Sequence, residues 1–209
     1  MHFISQLRVR YLLSLMIVTS MINSVSASSL DNTFTDGIVD DRRSGDMRSN
    51  SGVEWQLITD GVMGGLSSGQ LVLDEYRDKA CLRMRGDVST ENNGGFLQIA
   101  LSLTDISKSE KGIIDASDYS GVEIEVSGND ETYNIHFRTK GLWFPWQSYR
   151  ASFDAHDRWQ KIRIPFASLE PYKTTQKFSP EELIRIGVVA IGRDFKADLC
   201  LASLRFYRE

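Results

Sequence analysis

Thr59-Asp60-Gly61-Val62-Met63-Gly64-Gly65-Leu66-Ser67-Ser68-Gly69 follows the apolar run Val53 to Ile58. Glycine at 61, 64, 65 and 69 implies a backbone that needs positive φ or very close approach. Val62 and Met63 are too apolar for a solvated linker, so the stretch reads as an ordered loop between two strands with its apolar tip tucked under the domain. A second corner, Asn92-Asn93-Gly94-Gly95-Phe96, opens another strand. Glycine corners at strand ends are where a β fold carries function.

Working outward, strand signals recur at short, regular spacing. Val53 to Ile58 alternates around Trp55, and Leu71 and Leu73 share a face of Gln70 to Asp74. Ala80, Leu82 and Met84 alternate with Cys81, Arg83 and Arg85, a period of two. Phe96 to Leu103, Val122 to Val126, Tyr133 to Arg138, Gln147 to Phe153 and Trp159 to Ile164 follow. Arg185 to Ile191 is apolar on both faces, which places it centrally, and the last strand runs from Ala197 to Tyr207. Helix is confined to one turn at Ser179-Pro180-Glu181-Glu182-Leu183, with an N-cap serine and a proline at the first helical position. Ser102 to Ala116 is polar and reads as a long loop. An all-β domain with under about a tenth of its residues helical is expected.

The 209 residues, 41% hydrophobic and 25% charged, allow one domain with a sizeable core plus extensions. A net charge of −4, with no basic run, argues against nucleic acid. Arg8 and Arg10 precede the apolar segment Tyr11 to Ile22, and Val25-Ser26-Ala27 supplies the small residues of a cleavage site. Residues 1–27 thus read as a signal peptide cut after Ala27. The alternative is an uncleaved amino-terminal anchor, although the apolar core falls short of the roughly 20 residues that span a bilayer. Export, to a bacterial periplasm, is the expectation. Residues 28–52, rich in Ser, Asp, Asn, Arg and Gly, read as a flexible leader.

Catalytic signals are sparse. There is no G-x-S-x-G elbow, and His2, His136 and His156 stand apart from any motif. Cysteine and histidine spacings for zinc are absent. Asp115, Asp118 and Asn92-Asn93 could contribute oxygens to a structural calcium, or simply be solvated. No other cofactor is expected. The glycine loop lacks the following helix of a dinucleotide site. Cys81 and Cys200 are an even pair on strands, readable as a disulfide in an exported protein or as two buried thiols.

The aromatic loop Trp143-Phe144-Pro145-Trp146, followed by Tyr149, says more. With Arg138 and Tyr133 nearby it suits a glycan platform or a protein-binding hot spot. Alternatively, the tryptophans plug one end of the sandwich. Arg138, Trp143, Trp146 and Tyr149 are expected around one recess, with the glycine corners shaping backbone and touching ligand little.

The order of motifs resembles the complex I intermediate-associated protein family. The resemblance rests on Trp55 with Thr59 to Ser67 (Asp60, Gly61, Met63, Gly64 and Gly65 among them) and on Asn92, Asn93, Gly94, Gly95 and Phe96. Asp118 to Val122, Phe137-Arg138-Thr139, Tyr149 to Phe153, Trp159 to Phe166 and Ile186-Gly187 continue it, so that it covers 53–207. The resemblance implies a galactose-binding-like jelly-roll β-sandwich of two antiparallel sheets. It implies a role as an assembly or chaperone-like factor for a protein partner, as for respiratory NADH:ubiquinone oxidoreductase, and supplies no catalytic residues. Such a fold can set an early strand beside the last, bringing Cys81 and Cys200 together. The alternative function is an exported carbohydrate-binding module.

Overall fold

The computed structural model describes residues 34–106 and 112–209. The signal segment and the first part of the expected leader lie outside the described residues.

Two antiparallel six-stranded sheets pack face to face. The first runs β3 (Ser68–Tyr76), β4 (Lys79–Val88), β12 (Phe195–Tyr207), β6 (Gly121–Ser127) and β9 (Gln160–Pro165), with β1 (Ile38–Asp40) also pairing β12. The second runs β10 (Glu170–Tyr172), β8 (Ser148–Ala155), β7 (Glu131–Thr139), β11 (Leu183–Ile191), β5 (Phe96–Ser102) and β2 (Gln56–Thr59). Among the described residues the only helical segments are short 3₁₀ turns, including Pro180–Glu182 where the capping pattern placed one. Ser179 makes no side-chain cap there, so the proline carries the turn.

Alternation decides which side chains meet between the sheets. Leu82 and Met84 from β4 bury against Leu97, Ile99 and Leu101 from β5, with Tyr133, Ile135 and Phe137 from β7. β11 lies between β7 and β5, as its two apolar faces require. Ile186, Val188 and Ala190 enter the core, and Val189 is buried on the other face.

The leader behaves differently from its composition. Val39 of β1 is fully buried, and Asp40 accepts from Trp55 Nε1 at 2.6 Å and Arg42 Nε at 3.0 Å. Residues 34–52 are therefore part of the domain: Phe34, Val39 and the buried, hydrogen-bonded Asp40 carboxylate fasten a segment that has no strand period.

Cys81 of β4 and Cys200 of β12 form a disulfide, with Cα atoms 5.4 Å apart. Cys200 stands opposite Arg83, so the two cysteines are diagonal neighbours on the outer face of the first sheet. Tyr76 and Trp159 pack against them. An early strand does lie beside the last.

Candidate functional site

Side chains that alternate away from the core floor a groove on the outer face of the second sheet. β7 contributes His136 and Arg138, β8 Ser148 and Arg150, β11 Arg185 and Val189, β5 Phe96 and Gln98, and β2 Ile58. Register sets them in rows: His136 opposite Arg150 and Gly187, Arg138 opposite Arg185, and Val189 opposite Gln98. Gly187 keeps the floor low, because a Cβ there would collide with the Gln98 amide. The groove encloses about 570 Å³.

The two glycine corners make one wall. Asp60 is fully buried, and its carboxylate accepts from Ser67 N (2.9 Å), Ser67 Oγ (2.5 Å), Gly95 N (2.5 Å) and Phe96 N (3.2 Å). Burial alone would raise its pKa, but the hydrogen bonds from Gly95, Ser67 and Phe96 hold it below the ordinary carboxylate value. Gly64, with φ of 86°, turns the chain after the 3₁₀ turn Asp60–Met63. Gly65 and Gly94 close around the carboxylate: a Cβ on Gly94 would lie 2.5 Å from Asp60 Oδ2, and one on Gly65 would overlap the carboxyl carbon.

This arrangement corrects one expectation. Val62 and Met63 are not tucked under the domain but are 74% and 59% exposed on the groove rim. Gly94 and Gly95 line the same groove. With its polar ends bound to Asp60, the loop has its apolar tip pushed outward.

The opposite wall is the aromatic loop. Arg138 Nη1 donates to the carbonyls of Phe144 (2.7 Å), Pro145 (2.9 Å) and Gln147 (2.8 Å), and Nη2 to that of Leu142 (3.3 Å). Gln147 Oε1 accepts from Trp143 N and Phe144 N, while its Nε2 donates to Lys173 O. The loop is thus held by hydrogen bonds and by Leu142, buried in the core, and Trp146 stacks flat on Phe144 with centroids 4.9 Å apart. Beyond it, the Arg150 guanidinium lies on the Tyr172 ring, 3.2 Å from its centroid.

Of the residues expected at one recess, Arg138 and Trp146 line the groove. Trp143 is 88% exposed and projects outside it. Tyr149 is buried against Phe178, its hydroxyl donating to Lys177 O. Tyr133 is buried between the sheets, its hydroxyl donating to Asn129 Oδ1 and accepting from Asp198 N. Strand parity puts both tyrosines on the core face. Arg150, Lys173, Arg185 and Tyr172 were missed, although parity with Arg138 and His136 already put Arg150 on the outer face.

His136 is held neutral. Burial, then the Arg150 guanidinium, lowers its pKa to about 3. Its Nε2, like Nε and Nη2 of Arg150, is buried with no hydrogen-bond partner among the described residues. No group of three His, Cys, Asp or Glu that could hold a metal ion occurs among the described residues. Asp115 accepts from Ser117 N. No helix among the described residues is long and apolar enough to cross a membrane.

No curated protein matches the sequence. Among solved structures, the chain is similar to the family 11 carbohydrate-binding module of the cellulosomal cellulase Lic26A-Cel5E of Clostridium thermocellum, with 11% identity and a TM-score of 0.62 over 82% of this chain and 94% of that one. The family 11 module from the same organism in complex with a β-1,3-1,4-mixed-linked tetrasaccharide gives 10% identity and a TM-score of 0.57, covering 74% and 88%. The family 30 module of the cellulosomal cellulase Cel9D-Cel44B of C. thermocellum gives 16% identity and a TM-score of 0.50, covering 69% and 91%. At these identities the likeness is one of fold: a galactose-binding-like jelly roll. Residues 46–197 match the family described as Complex I intermediate-associated protein 30 (CIA30), and by that match over most of its length the chain belongs to the CIA30 family.

Proposed function

We propose that this chain is a non-catalytic binding module, an assembly or chaperone-like factor that grips a protein partner through the groove on its second sheet. One observation carries this reading. Val62, Met63, Trp146 and Tyr172, with Phe144 stacked behind Trp146, bring most of the large exposed apolar side chains to the rims of one groove. Exposed apolar patches of this kind mark interaction sites. Aliphatic, aromatic and arginine side chains without carboxylates are the composition of an interface centre. Membership of the CIA30 family supports a protein partner.

The flat Trp146–Phe144 stack favours a second reading, a glycan platform, since sugar C–H faces stack on such rings. The tetrasaccharide held by a module of the same fold supports it. Under either reading we place the chain outside the cytoplasm, with its signal cleaved after Ala27. The Cys81–Cys200 disulfide fits an oxidising compartment.

The test is affinity purification from the cell envelope beside a glycan array, using the wild type, Trp146→Ala and Met63→Asp. A discrete protein retained by the wild type and lost by both variants is expected. Glycan binding lost in Trp146→Ala, with no such protein, would select the second reading. Equal retention by all three chains would remove the groove from the function.

A further inference from the structure

The groove is divided along its length. Across the β2, β5 and β11 end its large side chains are Ile58, Val62, Met63, Phe96 and Ile191, with Gln98 among them. Across the β7, β8 and β10 end it is Arg138, Arg150, Lys173 and the His136 imidazole, with Arg185 on β11 between. Among the described residues, no aspartate or glutamate lines it. The chain as a whole carries net charge −4, so this local excess of cations runs against the composition.

Several cations elsewhere on the outer faces are paired. Arg83 bridges Asp74 and Asp198, Arg163 meets Glu123, and Arg193 meets Glu131. In the groove, Arg138 is consumed by loop carbonyls, but Arg150, Lys173 and Arg185 form no ion pair among the described residues. Glu170 stands directly opposite Arg150 in register, yet makes no ion pair with it. The guanidinium instead lies over the Tyr172 ring, with Nε and Nη2 buried and unsatisfied. Leaving guanidinium N–H groups buried and unpaired is costly, and a planar fork of donors matches a carboxylate in bidentate geometry.

We infer that the groove takes an acidic, amphipathic stretch of polypeptide. Its carboxylates meet Arg150, with Arg185 and Lys173 alongside, and its large apolar side chains seat against Ile58, Val62, Met63, Phe96 and Ile191. This rests on the groove being the binding site. It commits to polypeptide over an acidic glycan because the far end is predominantly apolar, suited to side chains without hydroxyls. A bound carboxylate also supplies acceptors of the kind that Nε and Nη2 of Arg150 lack in the folded chain.

The experiment pans a random phage-displayed peptide library on the immobilised full domain. Enriched peptides are then remeasured by fluorescence anisotropy against the wild type, the Arg150→Gln/Arg185→Gln pair and Trp146→Ala, with oligogalacturonate as the acidic-glycan arm. Enriched sequences should combine Asp or Glu with large apolar residues. The double variant should weaken them at least tenfold with little change in melting temperature, and binding should fall steeply with added salt. Enriched peptides without acidic residues, still lost in Trp146→Ala, would overturn the charge inference while sparing the groove. Binding indifferent to every variant would overturn both. Oligogalacturonate bound more tightly than any peptide, or no enrichment at all, would overturn the polypeptide.

Discussion

The Asp60 carboxylate accepts the backbone N–H of Gly95 at 2.5 Å, joining two glycine corners 35 residues apart in sequence. Each corner alone is a loop; joined, they form one wall of the groove. Asp60→Asn keeps the shape but replaces one acceptor oxygen by a donor facing other donors. It should cost about 3 kcal/mol, the loss of a buried charge-assisted network. The folded pKa of Asp60 lies below its unfolded value, so its stabilisation is present above about pH 4 and is lost as pH falls through the folded value. Urea titrations from pH 7 to 3 check this: the variant should start lower and lack that part of the acid decline.

Gly94→Ala tests the same junction sterically. Its Cβ would lie 2.5 Å from Asp60 Oδ2 and 3.0 Å from the Gly65 Cα, so the corners must part. A loss of roughly 1–3 kcal/mol is expected, as for an overpacked site. An unchanged melting temperature would show that the corners are loosely held.

Arg138 organises the aromatic loop rather than waiting for a ligand. A lysine cannot present donors to four separate carbonyls, so Arg138→Lys should release Trp146 from its position although the charge is kept. Ligand affinity should fall at least tenfold, and the tryptophan emission maximum should shift. Limited proteolysis between Gly141 and Gln147 in the variant, absent in the wild type, is the structural readout.

The sequence made the sandwich legible because ten of the strands announce themselves by alternation or by unbroken apolar runs. β1 and β10 did not. Ile38–Asp40 is too short to show a period and depends on pairing with β12, while Glu170–Tyr172 contains Pro171, which reads as a break and is tolerated only at an edge. The groove was half legible. Arg138 and Trp146 stood out by type, but Tyr133 and Tyr149 were grouped with them by proximity along the chain, against the parity that turns them inward. Asp60 looked like the start of a turn, because nothing local reveals that its partners are Gly95 and Phe96.

The disulfide closes a separation of 119 residues. A bridge over so long a span contributes about 2–4 kcal/mol by restricting the unfolded chain. Cys81→Ala/Cys200→Ala should lower stability by that amount and leave the groove, on the other sheet, unaltered. Protein from an oxidising compartment should resist thiol alkylation until reduced, by intact mass.

His136 supplies a pH dependence separable from that of Asp60. Burial and Arg150 hold its folded pKa at about 3, against about 6.5 in the unfolded chain. Between these values the unfolded state binds the extra proton, so stability rises with pH across the window and falls on acidification from 6.5. The slope approaches about 1.4 kcal/mol per pH unit for one proton. His136→Gln retains a polar side chain without a titrating proton and should flatten the stability profile between about pH 6 and 4.5, above the range where Asp60 acts. Equal slopes for the two proteins would mean that the imidazole protonates in the folded groove, beside Arg150, as readily as in the unfolded chain.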